Sequence, residues 1–394
     1  MDEGYCMLED ELGEIEKVMK NETLASAVAK IQHYCQQVDD VELNIAIIGE
    51  SGSGKSTFVN AFRGLGDEDE GAAETGEVET TMKPTVYPHP KYPRVKVWDL
   101  PGIGTPNFKA DEYLQKVEFQ RYDFFIIIIS ERFRDSNVQL ATEIQRMKKS
   151  FYFVRSKIDS NIQAAQRKKG FDKDKTLTKI KQDCIKGLRR IGVESPTVFL
   201  ISSFDLQLYD FPLLEEMMEK ELPKEKRRVL LLSVPNITLT INQRKKEALR
   251  ANIWRVALLS GAAGAVPIPG LSIAVDVTIL VKEITSYYQA FGMDKKSLQN
   301  LSVKTQVPLE ELKAVLKSPF NKEISAKMVI KLLSKFAGAA LMVLEYWLST
   351  IPVLGSIAAG GLSCATTYKM LSSSLNELAD DAQNVLMRAL QTDV

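Results

Sequence analysis

Histidine is almost absent from this chain of 394 residues, and its two copies, His33 and His89, lie far apart in sequence. A histidine-rich metal centre is therefore not expected. Cysteine occurs four times without a C-x-x-C spacing, which excludes a disulfide framework and favours a reducing compartment. An excess of one charge is also missing, because 51 basic residues balance 51 acidic ones. Nucleic acid is therefore not an expected partner.

An apolar signal region is missing from the N-terminus, which begins with the acidic run "MDEGYCMLEDELGEIEKVM". We therefore expect a cytoplasmic protein that is not secreted. Residue 2 is Asp2, whereas N-myristoylation requires a glycine at that position. That lipid anchor is not expected either.

Short apolar runs alternate with helical patterns through the middle of the chain. The runs are rich in β-branched and aromatic residues: "LNIAIIG", "RVKVWD", "YDFFIIIIS", "SFYFVRSKID" and "PTVFLISS". Helical spacing recurs over 110–119, 136–149 and 174–191. This alternation predicts a doubly wound α/β domain with a mostly parallel sheet over residues 41–222. Residues 67–93 have little periodicity and are expected to form a mobile loop.

The two ends of the chain are expected to be helical. Residues 6–36 have apolar positions spaced for one face of a helix, and the pattern after residue 237 is helical with almost no strand. We therefore expect an N-terminal helix within residues 1–40. We expect this helix to pack with a C-terminal all-α domain of residues 223–394.

The first motif with chemistry is "GESGSGKS", which follows the first apolar run and fits G-x-x-x-x-G-K-[ST] at every position. Its glycines let successive backbone N–H groups point at one anion, and the following helix adds its positive N-terminus. Lys55 is predicted to reach the outer phosphates of a nucleotide, and the Ser56 hydroxyl to ligate Mg²⁺. The predicted phosphate contacts are Gly49, Glu50, Ser51, Gly52, Ser53, Gly54, Lys55, Ser56 and Thr57.

Two further motifs indicate which nucleotide is bound. In "VKVWDLPGIG", Asp99 is placed to hold Mg²⁺ through water, and the Gly102 N–H to contact the γ-phosphate and sense its loss. In "RSKIDS", Asp159 can accept hydrogen bonds from the N1–H and 2-amino groups of guanine, which adenine lacks. The aliphatic part of Lys157 is predicted to cover the base, and ATP is the disfavoured alternative. Ser160, Ser202 and Ser203 are further candidates near the guanine.

Together these segments resemble the immunity-related (interferon-inducible) GTPases. The segments that carry the resemblance are "GESGSGKST", "EGAAETGEVETT", "VWDLPGIGTPNF", "YDFFIIIIS", "FYFVRSKIDS" and "YDFP". The resemblance implies a Ras-like P-loop GTPase domain on a helical domain built from both chain ends. It also implies GTP-driven homo-oligomerisation and action at intracellular membranes in cell-autonomous innate immunity. One branch of that family carries methionine at the position of Lys55, and this chain is similar to the lysine-bearing effectors.

Hydrolysis needs a group that orients water, and many small GTPases place a glutamine just after the Asp-x-x-Gly turn. This chain has Ile103 there, so either turnover is slow or the group comes from elsewhere. The resemblance implies that Glu79 acts on the site of a dimer partner and that Thr81 closes over Mg²⁺. It also implies that Thr75 and Gly76 lie near the nucleotide. The alternative is that the loop acids are solvated charges.

Two nearly uncharged stretches, 256–281 and 336–368, are each interrupted by proline near the middle. The interruption leaves pieces shorter than the roughly 20 residues of a membrane span. We therefore expect two helix–turn–helix hairpins, either buried in the helical domain or inserted into a membrane. Three functions stay open: a dimer-activated GTPase, a slow-turnover GTP-dependent scaffold, and a membrane-perturbing protein triggered by GTP.

Overall fold

The computed structural model describes most of the chain. The described residues are 33, 40–76, 81, 83–103, 110–131, 134–190, 192–193, 196–264, 271–321, 324–333 and 358–390. The predicted helix 6–36 lies outside them, apart from His33. The chain divides into two compact units, one of Val41–Thr238 and one of Met1–Asp40 with Leu239–Val394. This division places 223–238 with the sheet unit, whereas the sequence assigned that segment to the helical domain.

The first unit is built on a six-stranded sheet. Its strands are β1 (Leu43–Gly49), β2 (Thr85–Pro88), β3 (Val95–Asp99), β4 (Phe124–Ile129), β5 (Ser150–Arg155) and β6 (Val198–Leu200). Their order in the sheet is β2-β3-β1-β4-β5-β6. All pairs are parallel except β2 with β3. The predicted doubly wound, mostly parallel sheet is confirmed.

Helices lie between the strands and after the last of them. They are α1 (Lys55–Phe62), α2 (Ala110–Lys116), α3 (Asp135–Arg146), α4 (Ile158–Gln166), α5 (Lys173–Arg190), α6 (Phe211–Glu221) and α7 (Lys224–Ser233). The sequence patterns predicted α1, α2, α3 and α5. They missed α4, because its first turn coincides with the "SKID" motif that was assigned to a strand end.

Strand β2 corrects one expectation, because it lies inside the segment 67–93 that was predicted to be a mobile loop. Its four residues pair with β3 at the edge of the sheet. Pro88 ends the strand. Proline has no N–H to donate to a neighbouring strand, so within sheets it is found at edges such as this one. The segment is also tied down at its start, where Asn60 bonds Ala73 N at 2.6 Å and Ala73 O at 3.0 Å. So short an edge strand, bounded by proline, carries no alternating pattern in sequence.

The core of the unit lies on both faces of the sheet. All residues of β4 are buried, as expected for a central parallel strand covered on two sides. On one face Phe58 and Phe62 of α1 pack against Phe211 of α6, with ring centroids 6.2 to 6.4 Å apart. On the other, Tyr122 packs edge-on against Phe125. This packing fixes the carboxyl ends of β1, β3, β4 and β5 relative to one another.

The second unit is helical wherever it is described. Its helices are α8 (Leu239–Gly264), α9 (Leu271–Ala290), α10 (Lys295–Thr305), α11 (Leu309–Ala314) and α12 (Ala358–Leu390). The prolines of the first apolar stretch fall between α8 and α9, as the hairpin prediction requires, although 265–270 are outside the described residues. Of the second stretch, only the part in α12 is described. Among the described helices, none combines the length and apolarity that crossing a membrane requires.

One carboxylate joins three helices of this unit. Asp276 of α9 accepts hydrogen bonds from Ser260 of α8 at 2.6 Å and from Ser363 of α12 at 2.5 Å. Ser260 also lies 2.8 Å from the Thr367 hydroxyl. Burial raises the pKa of Asp276, and the two hydroxyl bonds oppose that rise. Asp276, the only charged residue of the first apolar stretch, therefore makes hydrogen bonds that link separate helices.

Candidate functional site

The loop after β1 has the backbone of a phosphate cradle. Glycine is required at Gly49, because a Cβ there would lie 2.1 Å from the Ile128 carbonyl oxygen of β4. Gly54 has a φ of 90°, which L side chains rarely adopt. These two residues turn the chain from β1 into α1, whose free N–H groups make an anion site.

Lys55 begins α1 beside this cradle and is 8% exposed. Its Nζ donates to the Glu50 carbonyl oxygen at 3.0 Å, on the opposite limb of the loop. The ammonium therefore lies across the mouth of the loop, where a bound polyphosphate would meet it.

Three oxygen ligands meet at the start of α1. The Ser56 hydroxyl donates to Asp99 Oδ2 at 2.6 Å, and the Thr81 hydroxyl lies 3.2 Å from the same oxygen. Asp99 is fully buried, and its Oδ1 has no hydrogen-bond partner among the described residues. Burial raises the pKa of this carboxyl. Hydroxyls, one carboxylate and nucleotide phosphates form the donor set that Mg²⁺ takes, so these residues fit that ion.

The Asp-Leu-Pro-Gly turn is fixed by backbone bonds to β1. Leu100 N donates to Ile47 O at 3.0 Å, and Ile103 N to Gly49 O at 3.3 Å. Gly102 is thereby held beside the phosphate loop. The Ile103 side chain is fully buried and apolar, so it cannot orient a water molecule.

The predicted guanine contacts gather at the ends of β5 and β6. Lys157 has a φ of 55°. Its aliphatic chain passes close to Gly54, because a Cβ placed on Gly54 would lie 3.9 Å from Lys157 Cε. Asp159 stands in the first turn of α4, with a buried Oδ1 that has no hydrogen-bond partner among the described residues. Ile158 N bonds Ile201 O at 3.4 Å, which brings the "ISS" loop to the same place. An unused buried acceptor at this point suits the paired donors of guanine.

The other predicted residues lie at different depths around this centre. Ser202 is buried and accepts a bond from Asp205 N at 3.4 Å, whereas Ser160 is exposed. Thr75 and Gly76 are exposed, and Glu79 lies outside the described residues. Within the phosphate loop, Ser53 is buried, whereas Ser51 and Gly52 are exposed. The half-buried residues are Glu50, Thr57 of α1 and Ser203 of the "ISS" loop.

Two residues of the site were missed from sequence. The Ser156 hydroxyl lies 2.6 Å from Ser53 O and 3.0 Å from Ile129 O, so it ties the guanine motif to the phosphate loop. Its signal was present, because it directly precedes Lys157 in the motif. Tyr209 belongs to no motif, so the sequence did not single it out. Burial raises the pKa of its phenol, and the nearby charges of Asp159 and Asp205 raise that pKa further.

A cleft of about 190 Å³ lies at the phosphate loop. Its lining comes from residues 50–53 of the loop, residues 129–131 at the end of β4, Arg134 and Asn137 at the start of α3, and Lys157.

Several known proteins resemble this chain. Solved structures include Toc33 from Arabidopsis thaliana in complex with Mg²⁺ and GMPPNP, at 13% identity and a TM-score of 0.32, covering 47% of this chain and 81% of that one. The sequence model of the interferon-inducible GTPase family matches residues 8–389. The chain belongs to the interferon-inducible GTPase family. Its relatives in that family include interferon-inducible GTPase 5 of Bos taurus, 40% identical over 98% of this chain and 84% of the relative. Another is interferon-gamma-inducible GTPase 10 of Mus musculus, 38% identical over 98% and 91%.

Membership of the interferon-inducible GTPases confirms the resemblance carried by the sequence motifs. Together with the sheet topology, it supports GTP binding and hydrolysis in immunity. The described residues contain a loop shaped to receive an anion, a cluster of oxygen atoms that fits Mg²⁺, and an Asp159 oxygen with no hydrogen-bond partner among them.

Replacing Asp99 with asparagine should have opposite effects on stability and on nucleotide binding. A carboxyl whose pKa is raised by folding stabilises the fold at low pH and loses that contribution as the pH rises. The ionised Asp99 therefore costs stability at neutral pH. We expect Asp99→Asn to raise the unfolding free energy of nucleotide-free protein by about 1 kcal/mol and to weaken Mg²⁺-dependent GTP binding.

Thermal unfolding in EDTA and Mg²⁺ titrations of GTP binding measure these two effects. Asp183→Asn, at an exposed position of α5, removes the same charge and serves as the control. Unchanged Mg²⁺ dependence in Asp99→Asn would contradict the assignment of Asp99 to the metal.

Proposed function

We propose that this protein binds GTP with Mg²⁺ and hydrolyses it to GDP and phosphate. In its GTP state it forms homodimers or larger homo-oligomers through the sheet unit, and dimerisation activates hydrolysis. It acts at intracellular membranes in cell-autonomous innate immunity. The observation that carries the proposal is the convergence of Ser56 and Thr81 on the buried Asp99 beside the phosphate loop.

The residues of the site divide the work of binding. The N–H groups of the loop and of α1 donate hydrogen bonds to the phosphate oxygens, and Lys55 neutralises the outer phosphates. Ser56, Thr81 and Asp99 hold Mg²⁺, which supplies positive charge at the β- and γ-phosphates. Asp159 selects guanine, because adenine leaves its buried oxygen without donors.

In our proposal, a second copy of the chain supplies the group that orients the attacking water. Ile103 is buried and apolar where many GTPases have glutamine. In our proposal, Glu79 supplies this function to the partner's site, while Thr81 stays with its own metal. Catalysis then depends on association, since each site receives this group from the partner chain.

We expect phosphate release per molecule to rise with protein concentration. Glu79→Ala should abolish this rise and leave GTP affinity unchanged, because the residue acts on the reaction and not on binding. Glu68→Ala, at an exposed position of the segment after α1, is the matched control. Normal turnover by Glu79→Ala at high concentration would contradict the role of Glu79.

The buried Ile103 also favours a second candidate, a GTP-dependent scaffold with negligible turnover. The same dilution series separates the two, since a scaffold binds GTP but releases no phosphate at any concentration. Liposome flotation with and without GTP tests the proposed membrane action directly.

A further inference from the structure

The phosphate loop contains a carboxylate of its own. Glu50 follows Gly49, and its side chain is 17% exposed. A negative side chain on a loop that receives a polyphosphate opposes binding unless it is neutralised or turned away, since like charges repel strongly at short range in a partly buried setting.

The structure shows what turns it away. Arg134 Nη1 lies 3.1 Å from Glu50 Oε2, and Asn137 Nδ2 lies 3.4 Å from Oε1. Arg134 is the N-cap residue of α3, and Asn137 lies in the first turn with 1% of its surface exposed. The carboxylate therefore also faces the positive end of a helix of 12 residues.

The same residue is coupled to the phosphate-binding lysine. The Glu50 carbonyl oxygen accepts the bond from Lys55 Nζ, and Ser53 N donates to that oxygen at 3.2 Å. The position of Glu50 therefore affects both the shape of the loop and the place of the ammonium.

We propose that Arg134 and Asn137 are positioning residues for nucleotide binding, which neutralise Glu50 and hold its carboxylate away from the phosphates. This inference rests on GTP binding as proposed above. It assigns a role to two residues that lie outside the phosphate loop, the metal cluster and the guanine motif. It makes Glu50 the residue through which they act.

A double-mutant cycle tests this coupling, with a fluorescent GTP analogue and Mg²⁺ as the probe. We expect Arg134→Ala to weaken binding about tenfold, because it leaves a partly buried charge without its partner. Glu50→Gln alone should bind the probe more tightly than the wild type, because it removes the opposing charge and keeps the backbone oxygen that Lys55 contacts. Adding Arg134→Ala to Glu50→Gln should change affinity by less than about twofold.

Three further measurements separate positioning from a merely structural role. Arg134→Lys should recover most of the affinity, since it keeps the charge. The loss in Arg134→Ala should shrink as salt is raised, because Arg134 is 57% exposed and such charges are screened. Arg146→Ala, which removes the partner of Glu143 at the other end of α3, should not affect binding.

An equal loss from Arg134→Ala in both backgrounds would overturn the inference, since the arginine would then act without Glu50. A wild-type protein that fails to bind the probe would instead overturn the proposed function. The two failures are therefore distinguishable in the same experiment.

Discussion

Replacing Asp159 with asparagine is expected to exchange the nucleotide preference of the protein from GTP to XTP. The buried Oδ1 of Asp159 has no hydrogen-bond partner among the described residues, so it is free to accept from guanine. Xanthine carries a carbonyl oxygen where guanine has its 2-amino group. The asparagine amide would donate to that oxygen and still accept from N1–H.

The expected size of this effect is large, because a site built around a hydrogen bond strongly rejects a ligand that leaves it unpaired. We expect GTP affinity to fall about 1,000-fold and XTP affinity to rise by a similar factor. Direct titration of each protein with fluorescent analogues of GTP, XTP and ATP measures all three affinities. Asp183→Asn is the control for loss of an exposed charge.

The result that would contradict the assignment is equally clear. If Asp159→Asn keeps its GTP affinity, the base does not contact this carboxylate, and Ser202 and Ser203 become the main candidates. Tyr209 would then also need testing, since its phenol shares the environment of Asp159.

The second large effect is expected from Lys55→Ala. Its ammonium lies 3.0 Å from the Glu50 carbonyl across the loop, with 8% of the residue exposed. In our proposal this ammonium neutralises the outer phosphates, so its removal loses a charge-assisted contact with GTP, and GTP affinity should fall at least about 100-fold.

The pattern across nucleotides sharpens this prediction. The loss should be large for GTP and GDP and small for GMP, because GMP lacks the outer phosphates that Lys55 reaches. Equilibrium dialysis with the three nucleotides gives the comparison, and Lys169→Ala at an exposed turn is the control. Equal losses for GTP and GMP would show that Lys55 shapes the loop and does not contact phosphate.

Sequence predicted the fold where the signal is local. The continuous apolar run of β4 and the glycine spacing after β1 each dictate their structure through their own residues. Strand β2 was missed because it has only four residues and ends at Pro88. So short a segment shows no alternating pattern in sequence. Helix α4 was missed because a functional motif occupies its first turn.

The site followed the same rule. Lys55, Ser56, Asp99 and Asp159 occur in motifs with fixed spacing, so their roles could be predicted one by one. Arg134 and Asn137 come to Glu50 only through the fold, which places the start of α3 beside the phosphate loop. A contact between residues so far apart in sequence depends on the register of the whole sheet, which no local pattern reports.

The carboxylate of Asp276 makes the helical unit dependent on its last helix. Ser260 and Asp276 come from one apolar stretch, but Ser363 and Thr367 arrive from a helix almost one hundred positions further along. A shortened protein that lacks α12 would leave a partly buried carboxylate with one of its two hydroxyl donors gone. Helix α12 is therefore part of the packing of this unit.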